Sequence, residues 1–322
     1  MASKQEFEKK VAAVDALRSA IASEETTSQI RSALADRNNF LVSKAATIAG
    51  EQGLVTLTES LLTAFHRFLK DAVKTDPQCW AKLAIAKALR QLGHSDADVF
   101  LKGITHIQNE PVWGGTTDTA AALRGTCALA LVESTLQAQT VLTHLVDLTA
   151  DKEKIVRLEA VRAITSMGRD ESELLLRLKL LSGDVETEVT GQCMLGLLEL
   201  NTADAVSFVE KYLATDDDLR FEAIAALGTA TQPEAAEGLI RCWRATHETA
   251  ALRSLGLSKH SRAIDFLIEV AETGPSSGAS VAIESLAGSR FRGEIAERLL
   301  QALDGRGDRD LLKVFHRFFK SD

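Results

Sequence analysis

Apolar positions recur along the chain in short blocks separated by polar turns, and the blocks themselves repeat. Three copies align without gaps as DTAAALRGTCALAL from Asp118, DKEKIVRLEAVRAI from Asp151 and DVETEVTGQCMLGL from Asp184, 33 residues apart. Within each copy the main apolar residues follow i, i+4, i+8 spacing, which marks one buried face of an α-helix. The pattern therefore predicts a helix after each of these aspartates.

A second apolar helix follows each copy, for example ESELLLRLKLLSG at 171–183. A fourth copy, DDDLRFEAIAALG, comes after a slightly shorter step, and weaker copies lie near 38–50, 80–93, 249–256 and 280–288. The unit is thus helix, turn, helix over about 30 to 40 residues, repeated about eight times. Because one such pair cannot bury its apolar faces alone, we expect an all-α solenoid of about eight antiparallel helix pairs, and alternating runs typical of strands are absent.

One position in the repeat is always small: Cys127, Ala160, Cys193 and Ala223. A small side chain allows two helices to approach closely, so we expect the two helices of a pair to meet there. The chain has four cysteines, Cys79, Cys127, Cys193 and Cys242, and none forms a C-x-x-C pair. We therefore predict buried, reduced thiols, with neither a zinc site nor a disulfide framework.

The repeat resembles the HEAT-like repeats, particularly the short variety of phycobilin-lyase-type proteins. The likeness lies in a turn aspartate, then VR or LR about five residues later, then a small residue and a glycine. It covers nearly the whole chain and is strongest from 118 to 230. On this basis we expect a single solenoid, with N-terminal capping helices at 1–35, repeats at 36–305 and a C-terminal capping helix at 306–322.

The resemblance also implies a ladder in which the turn aspartates and the following arginines connect successive repeats. The pairs that carry over are Asp118 with Arg124, Asp151 with Arg157, and Asp216 or Asp217 with Arg220. After Asp184 the arginine position holds Thr190. The ladder is therefore expected to be broken or rearranged at that repeat.

Composition narrows the range of partners. The 322 residues include 37 basic and 45 acidic ones, for a net charge of -8, which argues against a nucleic-acid partner. The N-terminus has no apolar segment of signal-peptide length, and no apolar run is long enough to span a bilayer. We therefore expect a cytoplasmic protein with no membrane partner.

No GxSxG, HExxH, P-loop or GxGxxG motif stands in the strand-turn-helix context that its chemistry requires. Metal-dependent hydroxylases on HEAT-like scaffolds hold two irons with several His-Glu pairs, whereas this chain has the single pair His247-Glu248. The acidic run at 216–218 is interpreted as helix capping. We expect no catalytic residue, no metal and no cofactor.

Two regions are candidate binding surfaces. The segment from Gln108 to Ala120 is long for a repeat connection and contains Pro111, Trp113, Gly114 and Gly115. Trp113 either anchors a partner or folds back to fill a gap between repeats, and the second alternative is favoured. The other region is the concave face, which the second helices are expected to line, with the polar candidates His106, His144, Arg177, Lys179, Arg241 and Arg244.

The leading hypothesis is a non-enzymatic scaffold that binds a protein or peptide along the concave face and the 108–118 loop. One alternative, implied by the resemblance, is a lyase or isomerase that acts on a bound tetrapyrrole. Another is a HEAT-like DNA repair glycosylase, for which Trp113 and Asp118 are the candidate site residues. The oligomeric state stays open.

Overall fold

The computed structural model describes residues 2–21, 23–215, 217–258, 260–288 and 292–319, with side chains from Gln5 onward. The chain divides into two compact units, unit 1 (Met1–Met167) and unit 2 (Gly168–Asp322). Both consist of successive helix pairs, and the predicted fold class, an all-α solenoid, is confirmed.

Unit 1 contains ten helices among its described residues. They are α1 (Ala2–Ala16), α2 (Glu24–Leu34), α3 (Asn39–Glu51), α4 (Thr58–Phe68), α5 (Ala72–Thr75), α6 (Trp80–Gln91), α7 (Asp98–Ile104), α8 (Ala121–Val132), α9 (Ala138–Leu148) and α10 (Lys154–Met167). Short 3-10 turns occur at Val55–Leu57 and Pro77–Cys79. Between α7 and α8 lie two antiparallel strands, β1 (Asn109–Val112) and β2 (Gly115–Asp118), which the sequence pattern did not predict.

Unit 2 continues the same arrangement in its described residues. Its helices are α11 (Asp170–Ser182), α12 (Thr187–Leu200), α13 (Ala205–Glu210), α14 (Asp218–Thr229), α15 (Pro233–Thr246), α16 (Thr249–Leu257), α17 (Ser261–Thr273), α18 (Ser276–Ala287), α19 (Arg292–Arg306) and α20 (Arg309–Phe319), with a 3-10 turn at Lys211–Ala214. Asp217 caps α14 by accepting a hydrogen bond from the Leu219 N–H, as the capping interpretation of the acidic run predicts. Asp216 lies outside the described residues.

The first helices of the pairs form the more closely packed layer. In unit 1, α3, α6, α8 and α10 pack directly on one another in that order, whereas α4, α7 and α9 scarcely touch along their backbones. Glycine permits this proximity: a Cβ on Gly50 of α3 would lie 3.0 Å from the Ala88 Cα of α6. Which of the two layers lines the concave face stays a prediction.

At Cys127, one of the small positions of the repeat, α8 lies close to α7. A Cβ added to Gly103 of α7 would clash with the Cys127 Sγ, so the glycine permits this approach. All four cysteines are buried and unbridged, as predicted.

Candidate functional site

The connection between α7 and α8 is a β-hairpin that presents a tryptophan at its tip. Val112 pairs with Gly115, and the turn between them consists of Trp113 and Gly114. Gly114 has a φ of 86°, a conformation that glycine adopts without strain. Trp113 is fully exposed, with 103% relative accessibility, so the alternative in which it fills a gap between repeats is wrong.

The exposed part of this hairpin carries no charge. Residues 111–117, PVWGGTT, are all exposed and all uncharged, and Ile107 just before β1 is also exposed. A quarter of the chain consists of charged residues, so a seven-residue exposed stretch without one is unusual for this surface. Depletion of charge around an aromatic residue is typical of the core of a protein interface.

The base of the hairpin is fixed by the buried carboxylate of Glu110. Its Oε1 accepts hydrogen bonds from the Gln78 N–H, the Gln108 Nε2 and the Thr119 Oγ1, each at 2.7 Å. Burial alone would raise the pKa of Glu110, but these three donors outweigh it, and the pKa lies below its ordinary value. The charged carboxylate therefore ties both strands to the segment before α6.

Asp76 of that segment forms an ion pair with Lys82 of α6, and neither side chain is exposed to solvent. Lys82 Nζ lies 2.8 Å from Asp76 Oδ2, and Asp76 also accepts from the Asn39 side chain and from the backbone N–H groups of Ala81 and Lys82. The Gln108 Nε2 donates to the Asp76 carbonyl at 2.8 Å, which extends the network to the hairpin.

Two consecutive residues of this segment have a left-handed backbone. Gln78 and Cys79 have φ values of 63° and 56°, and each such residue costs on the order of 1–3 kcal/mol. The Glu110 carboxylate that binds the Gln78 N–H helps to hold this conformation. The network thus fixes the hairpin base and the start of α6 together.

Arg124 connects the end of β2 to the next repeat. Its Nη1 donates to Asp118 Oδ2 at 2.6 Å, and its Nε and Nη2 donate to the Asp151 carboxylate at 2.9 and 3.0 Å. Burial alone would raise the pKa of Asp118, but the Gln108 and Ala120 N–H groups and the guanidinium lower it below its ordinary value. Asp118 and Arg124, a pair expected from the resemblance, are therefore in direct contact.

Further contacts are present at the other positions of the predicted ladder. Arg157 donates to the backbone carbonyls of Asp151 and Lys152 at 2.9 Å, and the Arg220 N–H donates to the Asp217 carbonyl. At the repeat with Thr190, Asp184 pairs with Lys179 at 2.8 Å.

Of the two candidate histidines, His144 lies on a second helix as expected and His106 does not. His106 lies beyond the end of α7 rather than on a second helix, and its ring contacts the Gln108 side chain at 3.2 Å. Burial lowers the pKa of His106 below its ordinary value, so the ring adds no positive charge at neutral pH. His144 is half-buried on α9.

The candidate basic residues of unit 2 are each paired with a carboxylate. Arg177 binds Asp204 at 2.9 Å and lies over the Phe208 ring. Arg241 binds Glu210 at 2.8 Å, and Arg244 lies 3.3 Å from Glu269. Because Lys179 is paired as well, these side chains form cross-links within unit 2 and do not make a basic groove.

A trough of about 610 Å³ lies on the first-helix layer of unit 1. It is lined by residues of α6, α8 and α10 and by the residue that follows α8: Lys87, Arg90, Gln91, Ala122, Thr126, Leu129, Glu133, Ile155 and Glu159. Arg90 and Glu133 pair at 3.1 Å, and the lining includes two further charged residues, Lys87 and Glu159. This volume lies in the range of about 300–1,000 Å³ that is usual for ligand sites.

His247 and Glu248 do not converge on a metal-binding arrangement. His247 ends α15 with its Nδ1 3.1 Å from the Trp243 carbonyl, and Glu248 caps α16 through the Ala250 N–H. Within the described ranges no group of three or more His, Cys, Asp or Glu side chains is placed to hold a metal ion. Nor does that part of the chain include a helix long and apolar enough to cross a membrane.

Sequence reasoning missed Glu110, Asp76 and Lys82. A signal was present for Lys82, which occupies a position among the buried residues Ala81, Ile85 and Leu89 of α6. A lysine on an apolar helix face indicates either a buried partner or a long side chain that reaches solvent. Glu110 is the one acidic residue in the stretch NEPVWGGTT, but its partner Gln78 lies 32 positions away in the chain.

Comparison with known proteins gives limited information. No family model matches the chain, and no curated protein matches it significantly. It is similar to the solved structure of human deoxyhypusine hydroxylase in complex with glycerol, at 17% identity over 78% of this chain and 90% of that chain, with a TM-score of 0.30. It is also similar to an engineered protein of a structural genomics consortium, at 16% identity over 90% of this chain and 86% of that chain, with a TM-score of 0.34. At these TM-scores neither likeness carries weight for function.

Proposed function

We propose that this protein is a non-enzymatic scaffold that binds a protein or peptide partner, with the hairpin 109–118 as its principal anchor. The observation that carries the proposal is the fully exposed Trp113 at the tip of an uncharged hairpin whose base is pinned by Glu110. Exposed aromatic side chains that become buried on association dominate many interfaces.

The hydrogen bonds at the hairpin base hold the hairpin in one conformation before a partner binds. Ordering a flexible loop on binding costs free energy that subtracts from affinity. The hydrogen bonds of Glu110 and Asp118 order the hairpin base before any partner arrives. The tryptophan is thus presented in a fixed position at little further cost.

The trough in the first-helix layer is proposed as a second contact surface. It lies on the first-helix layer of unit 1. Its lining includes Ala122, Thr126 and Leu129, which can contact an apolar side chain or a short segment of a peptide.

The glycosylase alternative has less support from the hairpin. Asp118 lies at the base, opposite Asn109, with its carboxylate bound by Gln108, Ala120 and Arg124. Trp113 lies at the tip, roughly 15 Å away at the usual rise per strand residue. The two candidate residues are therefore not placed to act on one nucleotide.

The test is affinity capture from native extract with the wild-type chain, Trp113→Ala and the control Leu257→Ala, which alters another exposed apolar residue, in unit 2. A stoichiometric protein that is retained by the wild type and the control, and lost with Trp113→Ala, supports the hairpin as anchor. Retention by all three overturns that assignment, and Leu129→Arg then tests the trough. If no protein is retained, the scaffold proposal fails.

Fluorescence provides a direct readout of the anchor. In Trp80→Phe/Trp243→Phe, Trp113 is the one remaining tryptophan of the chain. The captured partner should shift its emission to shorter wavelength as the ring leaves water. An unchanged spectrum on saturation with the partner contradicts burial of Trp113.

A further inference from the structure

Helix α11 carries an apolar stripe that no described part of the chain covers. Leu174, Leu178 and Leu181 are 68%, 62% and 68% exposed, and Val185 just after the helix is 90% exposed. The three leucines follow i, i+4, i+7 spacing and so lie on one face, while Leu176 and Leu180 are buried on the opposite side. Contiguous exposed leucines of this kind mark an interaction surface.

The charges around the stripe favour a basic partner. Asp170 and Glu171 lie at its amino-terminal end, and Glu171 is exposed in a pair with Arg169. The basic residues of the helix itself are engaged elsewhere. Arg177 is held by Asp204 and Glu173, and Lys179 by Asp184.

A second copy of this chain does not fit the stripe. In an antiparallel pair of α11 helices, Asp170 and Glu171 would meet the carboxyl end of the partner's helix, which is the negative end of its dipole. In a parallel pair the acidic ends would lie side by side.

We infer that α11 binds an amphipathic helix of another protein, which runs antiparallel to α11 and carries basic residues in its last turn. Its apolar stripe covers Leu174, Leu178 and Leu181, and its basic end lies beside Asp170 and Glu171. Basic residues in the last turn also complement the dipole of the bound helix. This surface is separate from the hairpin and does not depend on the proposed role of Trp113.

The probe is a pair of fluorescein-labelled amphipathic helical peptides with the same leucine stripe, one with lysines and the other with glutamates in the last turn. Binding to the full chain is followed by fluorescence anisotropy. We expect the basic peptide to bind and the acidic peptide to bind about tenfold more weakly or worse. Leu178→Ser should weaken the basic peptide by about tenfold. The matched control Leu257→Ser, which replaces another exposed leucine of unit 2, should bind it like the wild type.

Equal binding of both peptides, or no loss with Leu178→Ser, overturns the inference. A fall in thermal stability with Leu178→Ser beyond that of Leu257→Ser also overturns it, because the stripe would then be covered by the chain itself. Sedimentation of a wild-type dimer that Leu178→Ser dissociates would assign the stripe to a second copy and equally overturn it. Trp113→Ala should leave peptide binding unchanged, so failure here and failure of the hairpin anchor are distinguishable.

Discussion

Lys82 Nζ and Asp76 Oδ2 lie 2.8 Å apart, and neither side chain has any exposed surface. The carboxylate and the ammonium have different numbers of further hydrogen-bond partners. Asp76 keeps three N–H donors besides the Lys82 ammonium, from Asn39, Ala81 and the Lys82 backbone, whereas the ammonium has one further acceptor, the Phe68 carbonyl at 3.2 Å. Replacing Asp76 and replacing Lys82 should therefore lower the free energy of unfolding by different amounts.

Asp76→Asn should lower the free energy of unfolding by about 3–5 kcal/mol, because it leaves a buried ammonium without a counter-charge. Lys82→Met should lower the free energy of unfolding by a smaller amount, since the Asp76 carboxylate retains its three N–H donors. Urea unfolding followed by circular dichroism measures both, and the double variant should lose less than the sum of the two. The reverse order of the single variants would contradict this account.

The hairpin should loosen in acid. Since the pKa of Glu110 in the folded state lies below its ordinary value of 4.5, its stabilisation is fully present above that pH and is lost as pH falls through the folded-state pKa. Wild type should therefore exceed Glu110→Gln in stability at neutral pH, and the difference should shrink as the pH falls from about 5 to about 3. Urea unfolding at a series of pH values measures this difference. Glu133→Gln, at an exposed pair with Arg90, is the control and should show little difference at any pH.

Two arginines that both pair with carboxylates should contribute differently to stability, because one of them is buried and the other is exposed. Arg124 binds Asp118 and Asp151 with a 4% exposed side chain, whereas Arg90 binds Glu133 with a 39% exposed one. Arg124→Ala should cost about 3–5 kcal/mol, because it leaves two carboxylates without their counter-charge. Arg90→Ala should cost about 0–1 kcal/mol. Equal losses in chemical denaturation would show that the Asp118–Arg124–Asp151 bridge contributes no more than a surface pair.

The thiols should be inert in the native protein. Burial raises the pKa of Cys79 and of Cys193 to about 12, and that of Cys127 and Cys242 above the ordinary value. Because the thiolate is the reactive species, Ellman's reagent at about pH 8 should modify the four cysteines only as the protein opens, and all four in urea. Rapid modification of any one of them under native conditions would contradict its burial.

The repeat pattern was sufficient to predict the helices because the signal is local. An apolar residue every fourth position after each turn aspartate requires one face of a helix to be buried, whatever lies beside it. For the same reason the buried thiols at 127 and 193 and the cap at Asp217 could be predicted from their place in the repeat.

The hairpin and the ion pairs of the candidate arginines could not be predicted from the sequence, because they depend on tertiary contacts. Residues 109–118 show no alternation of apolar and polar positions, and their strands are held by Glu110, whose partner Gln78 lies 32 positions away. Arg177 and Arg241 looked available for a partner because the carboxylates that neutralise them, Asp204 and Glu210, belong to the next or the previous repeat.

The sequence by itself therefore determined the helical repeat, since helix periodicity needs only neighbours within a few turns. The tertiary structure alone decided that Trp113 is exposed and which leucines of α11 stay uncovered. These properties depend on contacts between residues that are far apart in the chain, such as that of Glu110 with Gln78.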